Sequence, residues 1–237
     1  MPTREMDSKA LQPSHQSAAW SGLRAFRVAR RWYEDAANTQ CSFYLEPVDG
    51  QALPDYKPGQ FLTFSLALPA AAGATARLLT RCYSLSDSPS SNYYRVTIKR
   101  VVASADTAIG PAGAASNFFH DHVHAGYTLK IHAPSGRFYL DAASFTPVVL
   151  IAGGIGITPM MSMLRWCSQH QPQRVVHLFY GVRNSAEHAY KAALQEMALM
   201  LPQLRLHVVY SKPLADDRES LDFRHQGRVD MDLLKST

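Results

Sequence analysis

Three short stretches of this 237-residue chain carry residue types suited to a flat, anionic ligand. Arg81-Cys82-Tyr83-Ser84-Leu85-Ser86 puts a fixed cation, an aromatic plane and several hydroxyls side by side. In an extended strand alternate side chains share a face, so Arg81, Tyr83 and Leu85 point one way while Cys82, Ser84 and Ser86 point the other. An arginine fork takes phosphate oxygens bidentately, a tyrosine can lie against a ring system, and a serine hydroxyl can bond ring heteroatoms. The second stretch, Gly110-Pro111-Ala112-Gly113-Ala114-Ala115-Ser116-Asn117-Phe118-Phe119, reads as a loop opening a short helix, whose free amides and dipole favour a phosphate. The third, Gly153-Gly154-Ile155-Gly156-Ile157-Thr158-Pro159, comes after an apolar run, and its glycines let a pyrophosphate approach backbone amides. Taken singly, each also reads as ordinary structure: a strand with an exposed arginine, a capped connector helix, a tight turn.

Other chemistry-bearing residues point to less. His120 and His124 lie four apart with His122 and Asp121 between them, but local spacing supplies no third and fourth metal ligand. The expectation is that these histidines end a helix and meet its free carbonyls. Cys41, Cys82 and Cys167 are widely spaced, with no C-x-x-C pair, so neither a disulfide framework nor an iron–sulfur site is expected. Methionines 160, 161 and 163 read as core filling. The glycine turn is G-x-G-x-x-P, and no acidic residue ends the strand expected over Arg174 to Tyr180, which disfavours a standard dinucleotide fingerprint.

The elements that must position these residues fall into two kinds. From Trp20 to about Asp141, short alternating runs divided by turn residues predict strands over Arg24 to Arg31, Gln40 to Glu46, Gln60 to Ala67, Leu78 to Ser86, Tyr93 to Val102 and Tyr127 to His132. Pro134-Ser135-Gly136 reads as a tight turn, and Ala70 to Ala76 as a variable loop. This pattern suggests a small antiparallel barrel or sandwich. From Pro147 the period changes. Val148-Val149-Leu150-Ile151-Ala152 suits a parallel strand buried on both faces, with Thr158 as N-cap and Pro159 as first residue of the next helix. Strand 174–180, helix Ala186 to Met200 and strand Leu204 to Tyr210 complete a β-α-β-α-β series with a parallel sheet.

Composition bounds the function. With 46% hydrophobic and 18% charged residues the chain is ordinary for a globular protein. Its formal charge of +5 is spread without a dense basic block, so nucleic-acid binding is not expected. No apolar run approaches a membrane span, and the first 19 residues, a polar stretch read as a loose tail, lack a signal-peptide core. A reducing, cytoplasmic setting is expected.

Arg81-Cys82-Tyr83-Ser84, Gly113-Ala114-Ala115-Ser116 and Gly153-Gly154-Ile155-Gly156-Ile157-Thr158-Pro159, in that order, resemble the ferredoxin–NADP reductase family, and within it the bacterial reductase modules attached to flavohaemoglobins and oxygenase reductases. The resemblance implies a six-stranded antiparallel FAD-binding barrel over 20–142 and a parallel α/β NAD(P)-binding domain over 143–237. It implies hydride transfer from NADH or NADPH to FAD, with NADH favoured, then electron release to a haem or [2Fe–2S] partner. Arg81 would contact the FAD pyrophosphate, Tyr83 would pack on the flavin or its ribityl chain, and Ser84 would serve catalysis by a hydrogen bond near the flavin N5. Ile98, Lys99 and Arg100 would lie along the cofactor, and Gly113 and Ser116 would form the second phosphate turn. Gly153, Gly154, Gly156, Thr158 and Pro159 would cradle NAD(P)H, with Gly181, Arg183 and Ser211 at its adenosine end. The family continues past the point matching Lys235-Ser236-Thr237 into a Cys-Gly-Pro strand, so the α/β part is expected to be incomplete. A flavin module without pyridine-nucleotide activity and a non-enzymatic interaction subunit stand as the alternatives.

Overall fold

Period-two alternation builds the first sheet. The computed structural model describes residues 19–68, 77–101 and 113–237. The expected tail over 1–18, the 70–76 loop and Gly110-Pro111-Ala112 lie outside the described residues. Strands β1 (Arg24–Tyr33), β2 (Gln40–Pro47), β3 (Phe61–Leu68), β4 (Arg77–Ser84), β5 (Tyr94–Lys99) and β6 (Thr128–Ser135) pair antiparallel in the order β4-β3-β6-β1-β2-β5. A bridge between Leu85 and Val96, with the Ser86 amide donating to the Arg95 carbonyl at 2.8 Å, joins the two edge strands and closes the barrel. Alternate residues Phe26, Val28, Phe43, Leu45, Leu62, Phe64, Val96 and Ile98 fill its interior. Helix α1 (Ala114–His122) plugs it with Phe119, whose ring meets those of Phe43, Phe64 and Tyr83 edge-on at 5.2–5.3 Å between centroids.

The second sheet is parallel throughout, in the order β10-β9-β8-β7. Its strands are β7 (Val148–Gly153), β8 (Val176–Val182), β9 (Leu204–Tyr210) and the short β10 (His225–Gln226), the last not foreseen from the sequence. Helices α2 (Ile157–His170) and α3 (Lys191–Met200) cover one face, and Leu150, Leu178, Tyr180, Val208 and Tyr210 bury beneath Met161, Leu164 and Leu194. Met160, Met161 and Met163 are core residues, as expected. A last short helix, α4, spans Met231–Lys235. Among the described residues no helix is long and apolar enough to cross a membrane.

Several expectations need correction. β7 is not buried on both faces: Val149 is 55% and Ile151 46% exposed, because β7 pairs only with β8 among the described residues and α2 covers one side. The helix expected over 186–200 begins instead at Lys191. Ser185–Glu187 form a separate 3-10 turn, and Tyr190 takes a left-handed conformation (φ 59°) while its amide donates to the Glu34 carbonyl at 3.0 Å. β8 ends two residues later than expected, at Val182, and β6 runs on through Pro134 to Ser135, so the turn itself falls at Gly136 (φ 115°). The histidines of α1 cap little. His124 Nε2 lies 3.2 Å from the Asp121 carbonyl, but Arg31 Nη1 takes the carbonyls of His120 and Val123, and His120 reaches across to the Ile98 carbonyl at 2.9 Å.

His188 is buried beside the left-handed turn with Nδ1 2.8 Å from the Tyr210 hydroxyl and Nε2 unpartnered. Burial, helped by the nearby Lys191 ammonium, lowers its pKa to about 3. A histidine depressed in the folded state leaves stability intact above its unfolded pKa and removes it as pH falls below. We therefore expect urea midpoints to be flat above pH ~6.5 and to fall below it, by roughly 2 kcal/mol at pH ~5 from this residue. His188→Gln should make that limb shallower without removing it, because burial also lowers His207, to about 4, and His120; an unchanged acid limb would place the proton elsewhere.

Candidate cofactor and nucleotide site

The barrel closure and the α/β half meet around one cavity of about 740 Å³. Its walls come from the end of β4 (Arg81 to Ser84), the last residues of β5 with the two beyond them (Thr97 to Val101), the start of α1 (Gly113 to Ser116), and the turn into α2 (Ile155, Gly156, Thr158 and Pro159). The size suits a cofactor-scale ligand. Four elements remote in sequence thus contribute to one space, and three of them, β4, the start of α1 and the turn into α2, hold the motifs read from the sequence.

At β4, consecutive residues from both faces of the strand line the cavity, because the strand ends there and the barrel turns away. Arg81 is exposed, and among the described residues its guanidinium donates only to the neighbouring Thr80 carbonyl, at 2.8 Å. No carboxylate pairs with it among the described residues. Tyr83 is half-buried with its ring against Phe64 and Phe119, and that burial, opposed by Arg81, pushes its phenol up to about 12. It is therefore a neutral hydroxyl at any working pH. Leu85 and Ser86, from opposite faces, are both fully buried and lie behind the site.

The other two cations at the cavity are already paired. Lys99 Nζ meets Glu187 at 2.7 Å, and Arg100 meets Asp121 at 2.6 Å, a hydrogen bond that holds the Asp121 carboxyl below the usual range. Next to Val101, α1 opens with Gly113 in a left-handed conformation and no side-chain cap, while the Ser116 hydroxyl turns back to the Gly113 carbonyl at 3.0 Å. The first-turn amides are left for a ligand, and the dipole favours negative charge.

At the α2 turn, Gly154–Gly156 form a 3-10 turn, so the helix starts at Ile157 with Gly156 as N-cap. Thr158 is not the N-cap: it lies inside the first turn with its hydroxyl on the Ile155 carbonyl at 3.1 Å. Pro159 is third in the helix, still in the turn where its missing amide costs little. A Cβ built on Gly153, Gly154 or Gly156 would meet nothing within 4 Å, leaving bare backbone open to a ligand. Gly153 and Gly181 sit side by side in register at the carboxyl ends of β7 and β8. Gly153, Gly154, Gly181, Arg183 and Ser211 do not line the cavity itself. Arg183 is joined to it indirectly, with Nη1 3.4 Å from the same Glu187 that holds Lys99, and the Ser211 hydroxyl donates to the Val182 carbonyl at 3.3 Å.

Sequence reasoning missed Thr97 and Cys82 as lining residues, and the buried cluster behind them. Arg95 is 3% exposed, with Nε 3.5 Å from Asp87, Nη1 3.3 Å from the Tyr44 hydroxyl and Nη2 on the Ser86 carbonyl. The available signal was period two: Arg95, Thr97 and Lys99 share one polar face of β5. Nothing in the sequence marked Glu187.

A family profile described as oxidoreductase NAD-binding domain matches residues 150–237. A flavohemoprotein of Rhizobium meliloti is 38% identical over 233 residues, covering 98% of this chain and 55% of the relative, and one of Chromobacterium violaceum is 39% identical over 220 residues, covering 90% and 50%. The chain thus spans about half the length of the curated relatives it matches. Among solved structures it resembles the flavohem-like FAD/NAD-binding domain of nitric oxide dioxygenase from Vibrio cholerae (TM-score 0.74, 27% identity, 88% of this chain and 80% of that one). The cytochrome b5 reductase domain of Ulva prolifera nitrate reductase shares the fold (TM-score 0.74, 17% identity, 91% and 81%).

A Cβ on Gly113 would lie 2.7 Å from Val101 Cβ and 3.0 Å from its carbonyl, at φ +79°. At Gly126 (φ +90°) the space is open. Gly113→Ala is expected to cost at least about 1 kcal/mol more than Gly126→Ala in urea unfolding. Equal costs would mean that the approach of the 113 backbone to Val101 is not a constraint.

Proposed function

We propose, from the premise that this chain belongs to the ferredoxin–NADP reductase-type family of FAD- and NAD(P)-binding reductase modules, that it passes electrons from a reduced nicotinamide nucleotide through FAD to an iron-containing acceptor, a haem or a [2Fe–2S] centre. The observation that carries this reading is the single cavity where Arg81, the start of α1 and the β7–α2 turn converge. In it, residues 20–142 form the FAD-binding unit and 143–237 the nucleotide-binding unit.

The residues present fit FAD. Arg81, a cation without a carboxylate partner among the described residues, and the uncapped amides of α1 suit a pyrophosphate. Tyr83, anchored by Phe64 and Phe119, offers a fixed aromatic edge, and Ser84 offers a hydroxyl beside it. FAD, when bound, supplies the exchange between accepting a hydride and releasing single electrons. The chain's own work is to orient and to exclude water: Ile98 and Val101 form an apolar wall, and the Ser84 hydroxyl would hydrogen-bond the reacting edge. The open backbone of Gly153, Gly154 and Gly156 would hold the nicotinamide nucleotide, with Gly181, Arg183 and Ser211 toward its adenosine end. Glu187 beside Arg183, and Asp217 accepting the amides of Ser185 and Leu214, favour NADH over a 2′-phosphate. The three cysteines are free thiols, which suits a reducing, cytoplasmic setting.

Purified protein should take up FAD and turn yellow, and anaerobic NADH should bleach the flavin band. Uptake without bleaching by either nicotinamide nucleotide would leave a flavin module, and no uptake would sink the reading. Arg81→Ala should weaken FAD binding by about 1.5–3 kcal/mol, the scale of a charge-assisted contact, in a fluorescence titration. Ser84→Ala should slow flavin reduction by NADH more than it weakens FAD retention; parallel losses would make Ser84 a binding residue only.

A further inference from the structure

Strand β7 lies at the edge of the parallel sheet, and β8 is its one pairing partner among the described residues. The Val148 amide donates to the Val175 carbonyl at 3.0 Å, so by the two-residue period of a strand Val148, Leu150 and Ala152 turn their backbone groups toward β8. Val149 and Ile151 turn theirs outward. Among the described residues neither makes a backbone hydrogen bond beyond the sheet. Edge strands are ordinarily blunted by a charge, a bulge or a covering element. No charged residue lies between Asp141 and Arg165.

Beside this edge is a second cavity, of about 530 Å³, lined by β7, by the connector from Phe138 to Asp141 and by Met160 and Met163 of α2. At a strand spacing of ~4.8 Å, a rise of ~3.4 Å and a sheet-to-sheet distance of ~10 Å, one residue of strand takes roughly 160 Å³, so there is room for about three. The surroundings are apolar. Phe138, Tyr139, Val149 and Ile151 line the cavity, Phe145 sits between the lining residues Ser144 and Thr146, and these five are between 42% and 73% exposed. Together they offer on the order of 500 Å² of apolar surface. A stable dimer buries about 800 Å² of each partner, roughly 65% of it apolar, and this patch meets that requirement.

We propose that a second copy of this chain occupies the edge, with β7 paired antiparallel to β7 about a two-fold axis at Leu150, so that two four-stranded sheets become one. In that register Val149 lies opposite Ile151 of the second copy and exchanges both N–H···O=C bonds with it, and Ile151 does the same with Val149 of the second copy. Four hydrogen bonds then satisfy the outward groups. On the face that α2 leaves bare, the same residues become cross-strand β-branched neighbours. A second copy brings the same uncharged edge and the same apolar patch, so the contact desolvates no charge, and its two-fold symmetry closes it at two chains. Neither Val149 nor Ile151 lines the Arg81 cavity, so the contact stands independently of the flavin reading.

Sedimentation velocity and light scattering on the full chain at micromolar concentrations read the assembly directly. A species of twice the chain's 26.3 kDa, dissociating on dilution, is expected. Val149→Lys and Ile151→Lys each place a charge on the edge and should raise the dimer dissociation constant by about tenfold or more. Both side chains are half-exposed or more, so circular dichroism and melting temperature should stay near those of the parent. The register has its own readout that needs no lysine variant: in a Cys82→Ser background, Val149→Cys mixed with Ile151→Cys should form a disulfide-linked dimer on mild oxidation faster than Val149→Cys alone. Equal rates would overturn the axis at Leu150. A monomer at every concentration, a polydisperse series of larger species, or a dimer that both lysine variants leave intact would overturn the proposal.

Discussion

The structure depends on how the outer face of β2 and β5 is held against the α/β half. That face is polar: Gln40, Ser42 and Tyr44 on one strand, Arg95, Thr97 and Lys99 on the other. A buried guanidinium is tolerated only with its donors met, and Arg95 finds Asp87, the Tyr44 hydroxyl and the Ser86 carbonyl at once. Across the seam Gln40 Nε2 donates to the Glu187 carbonyl at 2.8 Å, Lys99 pairs with Glu187, Ser88 donates to Gln169 at 2.6 Å, and Tyr190 meets both Thr97 and the Glu34 backbone. Such bonds are short-ranged and directional, so they accept few relative placements of the two halves where an apolar seam would accept many. The shared cavity results from that one placement.

The same requirement explains two local departures from regular structure. Closing the barrel through Leu85 and Val96 sends the chain past Ser84 into the buried Ser86–Asp87 segment, so β4 ends where its side chains can line the cavity. Tyr190 is held left-handed because its amide is committed to Glu34 and its hydroxyl to Thr97, and α3 begins only after that commitment is made. A non-glycine residue in this region carries a cost on the order of 1 kcal/mol or more, and two cross-seam hydrogen bonds offset it.

Much of this was legible in the chain. Alternation gave the barrel strands to within a few residues, and the change of period at Pro147 announced the parallel sheet whose β9 spans Leu204–Tyr210 as read. Motif order was enough to bring Arg81, Ser116 and the Gly153–Pro159 turn into one reading, because their chemistry is carried by residue type and local spacing. What was not legible depends on groups distant in sequence. Helix starts at Ile157 and Lys191 were set by a 3-10 turn and by a bond to Glu34, which no local pattern encodes. Exposure on β7 depends on which neighbours flank it, and an apolar run reads the same at an edge as at the centre of a sheet.

Charge allocation around the cavity then gives it a direction. Three cations line it, and two are spent within the protein, Lys99 on Glu187 and Arg100 on Asp121. Their partners offset most of the attraction those two would exert on an anion. Arg81 keeps its charge, and the start of α1 adds partial positive charge without a carboxylate in its first turn. An anionic group is therefore attracted to Arg81 and the start of α1, beside the apolar residues Ile98, Val101 and Ile155. A ligand with a charged group beside a flat, uncharged part meets attraction for its charge at Arg81 and the start of α1 and apolar surface next to them. Removing Glu187 or Asp121 would add a second free cation and weaken that preference, so the carboxylates serve orientation as much as the arginine does.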